Sequence, residues 1–92
     1  MYARIEASHR LVMHAARLLD RGEIVKSAAS TAKLLASETA VHCATEAVQI
    51  AGGEGYLSGS TVERLYRDAK ITQIYEGTSE VQKMILPSSF CR

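Results

Sequence analysis

Residues 24–51 read IVKSAASTAKLLASETAVHCATEAVQIA and are followed at once by Gly52-Gly53. No proline or glycine interrupts the run, and Ala, Leu, Glu, Lys and Gln, the good helix formers, recur through it. The pattern predicts one helix from about Ile24 to Ala51, roughly 40 Å long at 1.5 Å per residue. Its buried side reads as Ala32, Leu35, Ala36, Ala40, Cys43, Ala44, Ala47 and Val48. Side chains that small let neighbouring helices approach closely. Upstream, Tyr2 to Leu19 carries Ile5, Val12, Ala15, Ala16 and Leu19 at helical spacing, and Asp20-Arg21-Gly22 ends it, with Gly22 suited to a left-handed C′ position.

Downstream, residues 52–59 hold four glycines in eight positions and read as a turn. Ser60 with Glu63 three places on forms a capping box that opens a short helix ending near Ala69 or Lys70. Ile71 to Tyr75 alternate apolar and polar, but a lone strand has no partner, so an extended or turn connection is expected. A fourth helix is expected from Thr78, with Glu80 in its first turn favourable to the helix dipole. Pro87 is expected to end it. The fold class that follows is all-α: an antiparallel helical bundle of two long and two shorter helices. The faces of the long pair look wider than the short helices can cover.

Ninety-two residues make one small domain with a modest core. The formal net charge of +1 and the scattered basic residues give no electrostatic reason to expect nucleic acid. No stretch is long and apolar enough for a membrane span, and the N-terminus lacks a signal-peptide layout. Cys43 and Cys91 do not make a disulfide framework; Cys43 reads as a small core residue. His9, His14 and His42 lack metal-ligand spacing on one face, so a metal site is not expected. Tyr56 and Tyr66 read as packing residues, and Arg67-Asp68 as a local charge or cap arrangement.

The chemistry concentrates in Tyr75-Glu76-Gly77-Thr78-Ser79-Glu80-Val81. A carboxylate stands directly before a glycine and a Thr-Ser helix start, where backbone N–H groups are free and the chain can come close to a ligand. A lone Glu in a turn is commonly a solvated surface charge. Ile74 and Tyr75, however, would partly desolvate this one and strengthen it as a base. Gln49-Ile50-Ala51-Gly52-Gly53 reads first as a helix C-cap. Because it follows a helix and not a strand, the dinucleotide fingerprint does not apply. Thr78-Ser79-Glu80 reads as a helix cap that is compatible with an anionic ligand.

Taken together, Gln-x-x-Gly-Gly at 49–53, Arg-Asp-Ala-Lys-Ile at 67–71 and Tyr-Glu-Gly-Thr-Ser-Glu at 75–80 resemble the C-terminal helical domain of acyl-CoA dehydrogenases of the short-, medium- and branched-chain kinds. The resemblance can be followed from Met1 to about Leu86. It implies an FAD-dependent oxidoreductase of fatty acid metabolism in which Glu76 matches the catalytic base. The base removes the α-proton of an acyl-CoA thioester while the β-hydrogen leaves as hydride to the flavin, giving a trans-2-enoyl-CoA. The Glu76 backbone N–H matches the donor to the thioester carbonyl, and Tyr75 and Gly77 match substrate positions. Gln49, Ile50, Ala51, Gly52 and Gly53 match a segment that touches the FAD of a neighbouring subunit, and Thr78, Ser79 and Glu80 match a second flavin-contacting segment. A homo-oligomer, electron-transfer flavoprotein as partner, and a bacterial cytoplasm or mitochondrial matrix follow by the same resemblance.

Two departures from the pattern are expected to matter. The family domain's first helix, with its Arg-x-x-Phe-Gly segment, has no counterpart here, and residues 87–92 diverge from the usual Ala-Arg-Glu-Leu-like continuation. A truncated fragment, inactive as an isolated chain, is the reading these support. An acyl-CoA oxidase-like flavoprotein fragment and a non-catalytic helical oligomerisation or interaction module stand as alternatives. The Tyr-Glu-Gly placement of the base resembles the short, medium and simple branched types more than the isovaleryl and long-chain types.

Overall fold

The computed structural model describes the backbone of residues 1–90 and the side chains of residues 1–88. Five helices follow in chain order: α1 (Tyr2–Asp20), α2 (Lys26–Ala51), α3 (Gly53–Tyr56), α4 (Thr61–Ile71) and α5 (Ser79–Phe90). The two long helices and two shorter ones match the expected bundle; α3 is a single turn wound from the glycine-rich connection. No described helix is long and apolar enough to cross a membrane. Cys91, counted in the cysteine reading, and the end of the divergent tail lie outside the described residues.

The turn chemistry accounts for the ends of the elements. Gly22 sits at φ +72. Its N–H bonds the Leu19 carbonyl at 2.9 Å and the Glu23 N–H bonds the Leu18 carbonyl at 3.0 Å, the paired bonds of a Schellman stop. Gly52, at φ +67, closes α2 by donating to Val48 and Gln49. Ser60 caps α4 by accepting from the Glu63 N–H at 3.1 Å. The other arm of the capping box is not made, because the Glu63 carboxylate turns to Arg67 at 3.0 Å instead. That i, i+4 pair, and not Asp68, is the local partner of Arg67.

Several local expectations differ from the structure. Helix α2 begins at Lys26, since Ile24 projects into solvent and Val25 takes the N-cap place. Residues 72–76 take the turn form of the two expected for them, and prolong α4 with the Tyr75 N–H on the Ile71 carbonyl at 3.1 Å. Thr78 caps α5, which therefore starts at Ser79. Pro87 does not end α5, which runs on to Phe90. Proline deletes one donor, the one that would reach the Lys83 carbonyl, and at an exposed helix end the cost of about 3 kcal/mol is tolerated. The Ser88 hydroxyl adds a bond to the Ile85 carbonyl at 2.6 Å.

The core differs more. Of the residues expected to bury on α2, Ala32 alone is fully buried, and Leu35, Ala36, Ala40, Cys43, Ala44, Ala47 and Val48 are half-buried. The fully buried partners of Ala32 on that helix are hydroxyl residues: Ser30, Ser37 and Thr39. Thr39 shares a hydrogen bond with Ser8 of α1 at 3.0 Å, and Ser8 also donates to the Arg4 carbonyl at 2.7 Å. The covered side of α1 is thus Ser8 with Leu11, Ala15 and Leu18. Ile5, Val12 and Leu19, expected inside, are 51%, 45% and 64% exposed. Tyr56 and Tyr66 are likewise exposed.

The arrangement is elongated and open. Helix α2 contacts each of the other four, while α1 contacts only α2 among the described residues. The molecule measures 49 × 22 × 18 Å, with a radius of gyration of 15.3 Å where a compact chain of this length would have about 12 Å. Its accessible surface of 6662 Å² exceeds the roughly 5,200 Å² of a compact 10.0 kDa protein. The exposed large apolar residues include Ile5, Val12 and Leu19 of α1 and Leu65 and Tyr66 of α4.

One contact shows how closely the elements fit where they do meet. A Cβ added to Gly55 would lie 2.6 Å from Ala51 Cβ and 3.1 Å from the Val48 carbonyl oxygen. Gly55→Ala is therefore expected to cost about 1–3 kcal/mol in urea denaturation. Gly53→Ala, where a Cβ meets open space, is expected to stay within about 0.5 kcal/mol of the parent.

Candidate catalytic and cofactor site

The turn between α4 and α5 is built from backbone constraints. Tyr75 is tied back to Ile71, and the Ser79 N–H reaches across to the Gln73 carbonyl at 3.0 Å, so residues 73–79 are pinched at both ends. Within that short loop Glu76 takes φ +53, and Gly77 follows at φ +94. Glu76 is the one described residue other than glycine with a positive φ. A side chain there costs about 1–2 kcal/mol relative to ordinary helix backbone. Such outliers mark places where surrounding structure over-determines the backbone.

The turn offers groups to a ligand. The Glu76 side chain is exposed. Among the described residues the N–H groups of Glu76 and Gly77 have no acceptor. The carbonyls of the same two residues are taken: Gln82 Nε2 donates to Glu76 at 3.4 Å and Lys33 Nζ donates to Gly77 at 2.6 Å. Gly77 is glycine for an internal reason as well as its φ, because a Cβ would stand 2.6 Å from Gln82 Nε2. The desolvation expected from Ile74 and Tyr75 is not provided within the chain, where both side chains are about half exposed. Neither Lys33 nor Gln82 was a candidate from sequence; a lysine 44 positions upstream carries no local signal of its target.

Thr78, Ser79 and Glu80 form the N-terminus of α5. Thr78 Oγ1 accepts from the Val81 N–H at 3.3 Å. The Glu80 carboxyl is held below its ordinary range by its own backbone N–H and by the Thr78 hydroxyl, with Lys83 and Lys70 adding to the effect. These residues line a hollow of about 330 Å³ together with Glu38, Lys70 and Lys83. Ser79 is 7% exposed, and its hydroxyl is buried without a hydrogen-bond partner. A buried hydroxyl in that condition is costly and calls for an explanation.

Gln49 to Gly53 sit at the far end of α2, all exposed, with Ile50 projecting into solvent. Lys33, beside the Glu76 turn, and Gln49 are on the same helix and stand roughly 24 Å apart along its axis at 1.5 Å per residue. The structure therefore brings Tyr75–Glu80 together in one place and leaves Gln49–Gly53 in another. Gly53 has neither a positive φ nor a neighbour that a Cβ would touch, so nothing inside the chain requires glycine there. Gln49 also borders the larger cleft, about 990 Å³, walled by Val48, Leu57, Tyr66, Ile71 and Ile74.

Residues 1–89 match the family described as acyl-CoA dehydrogenase, C-terminal domain. The chain is 55% identical over 86 residues to an acyl-CoA dehydrogenase of Bacillus subtilis (strain 168), covering 94% of the chain and 23% of that relative. It is 45% identical over 86 residues to a subunit of a caffeyl-CoA reductase-Etf complex of Acetobacterium woodii, again covering 94% of the chain and 23% of the relative. The solved structure of butyryl-CoA dehydrogenase from Megasphaera elsdenii superposes with a TM-score of 0.96 at 48% identity, covering the whole chain and 24% of that structure. The chain thus spans about a quarter of the length of the relatives it matches, and over that span it belongs to the acyl-CoA dehydrogenase family, as its C-terminal domain.

Proposed function

We propose that this chain is the base-bearing helical part of an FAD-dependent acyl-CoA dehydrogenase and that Glu76 removes the α-proton of a bound acyl-CoA thioester. The observation that carries this reading is the left-handed Glu76 itself: an exposed carboxylate on a strained, doubly anchored turn whose N–H groups are free. A solvated surface glutamate has no need of φ +53. The free N–H groups of Glu76 and Gly77 would donate to the thioester carbonyl, stabilising the charge that develops as the proton leaves. The exposed rings and chains of Tyr75 and Ile74 would face the acyl group and exclude water once it is bound.

Family members are FAD-dependent, and the residues here fit that cofactor. The orphaned Ser79 hydroxyl at the start of α5 is a donor suited to an anionic ligand. The chemistry supplied by bound FAD is acceptance of the β-hydrogen as hydride, leaving a trans-2-enoyl-CoA. We assign Tyr75 and Gly77 to the substrate and Thr78, Ser79 and Glu80 to the flavin. Gln49, Ile50, Ala51, Gly52 and Gly53 are too far along α2 to serve the same flavin, so we assign them to the FAD of a second subunit. Gly53, whose missing side chain nothing in the chain explains, supports a close approach from outside.

A homo-oligomer follows from that assignment, and the exposed Ile5, Val12 and Leu19 stripe is consistent with burial against another surface. The same stripe supports the second reading, a helical interaction module in which Glu76 is idle. Electron-transfer flavoprotein is the partner we propose, on the strength of the Etf-complex relative. A bacterial cytoplasm or the mitochondrial matrix is the location we propose, supported by a Bacillus subtilis relative and a mitochondrial one.

Two measurements test the reading. The first replaces the matching C-terminal segment of the Megasphaera elsdenii enzyme with this chain and assays butyryl-CoA oxidation. Glu76→Gln in that graft is expected to lower kcat/KM by about 10²–10⁴-fold; undiminished turnover would eliminate Glu76 as the base. The second uses the 92-residue chain alone with added FAD. We expect butyryl-CoA to leave the flavin absorbance unchanged, and bleaching would contradict the expected inactivity of the isolated chain.

A further inference from the structure

We propose that Lys33 and Gln82 are positioning residues that clamp the Glu76 turn in its left-handed form, and that Glu76 is competent as a base only in that form. The inference rests on the reading of Glu76 as the base. A glutamate at φ +53 stays there only if its surroundings outweigh the strain. The bonds from Tyr75 to Ile71 and from Ser79 to Gln73 fix the ends of the loop but leave the two peptide groups at its apex free to rotate. Those two groups are what Gln82 and Lys33 hold, one carbonyl each.

The two side chains come from different helices and act from different directions. Gln82, on α5, is 7% exposed, and its amide occupies the space where a side chain at Gly77 would stand. Lys33, on α2, is half-buried and has no carboxylate within ion-pair distance among the described residues. Its ammonium is directed instead at a neutral carbonyl at 2.6 Å, a short charge-assisted bond. A lysine placed this way fixes a backbone group. The bond also polarises the Gly77–Thr78 peptide, which strengthens the Thr78 N–H as a donor toward the α5 hollow.

If the clamp is released, Glu76 relaxes to negative φ and its carboxylate moves. A misplacement of about 1 Å at a reacting group costs on the order of 10² in rate. The device is therefore a positional one, separable from folding.

The test uses NMR on the 92-residue chain. In Lys33→Met the Gly77 carbonyl carbon is expected to shift upfield to the position of an unbonded carbonyl. Amide exchange at Ser79 is expected to quicken by about tenfold or more. Lys33→Arg, which keeps a donor, should recover part of both. Lys83→Met, which removes the exposed pair with Glu38 at 3.3 Å and the pull on Glu80 but touches neither apex carbonyl, should leave the Gly77 carbonyl signal in place. Unchanged Gly77 and Ser79 signals in Lys33→Met would overturn the clamp. Should that variant not fold, the unmodified chain decides: slowly exchanging Lys33 ammonium protons coupled to the Gly77 carbonyl support it, and a freely rotating ammonium overturns it. In the graft, Lys33→Met is expected to lower kcat about tenfold or more with KM held within about twofold. A released turn with undiminished kcat would overturn the link to catalysis. An active Glu76→Gln graft would remove the base reading and leave the NMR result on the clamp intact.

Discussion

Among the described residues helix α2 meets every other helix and α1 meets only α2, so the spacing that α2 permits sets the whole arrangement. Its contact positions are alanine, serine and threonine, which bring neighbouring backbones close but bury little apolar surface. The Glu76 turn depends on the same helix. Lys33 reaches from α2 to the apex of the turn, and Glu38, one and a half turns on, meets Lys83 of α5. The element that organises the packing is also the one that locates the carboxylate.

Strain and anchoring are matched at that turn. The positive φ of Glu76 is balanced by bonds to both of the carbonyls at the apex and by closure of the loop through Ser79 and Gln73. Acceptors are occupied while donors are left open, a division that suits a ligand carrying a carbonyl oxygen. The other predicted cluster, at the end of α2, is arranged in the opposite way. There the Gly52 N–H closes onto the Val48 and Gln49 carbonyls, and the residues are exposed.

What the sequence made legible was local. Gly22 as a Schellman stop, Gly52 as the end of α2 and Ser60 as the cap of α4 are each decided within five residues, and each was readable from the residue types alone. The stripe on α1 was misread because periodicity finds an apolar face without saying what covers it. Ile5, Val12 and Leu19 lie beside the Ser8–Leu18 side that α2 does cover, and a buried serine gives no hydropathy signal. Pro87 was read as a stop because the interior penalty was applied at a helix end. The Tyr-Glu-Gly-Thr-Ser-Glu segment was legible as a candidate for chemistry. Its clamp was not, since a contact across 44 residues depends on how α2 and α5 pack and leaves no trace in spacing.

The hydroxyl-and-alanine seam between α1 and α2 has a calorimetric consequence. The heat-capacity change of unfolding follows newly exposed apolar area, and polar exposure works against it. A seam centred on Ser8, Thr39 and Ala32, with Leu11 and Leu18 only half-covered beside them, exposes little hydrocarbon when it opens. The melting of this chain should therefore have a small heat-capacity increment for its length, a shallow stability curve and a transition spread over a wide range of temperature.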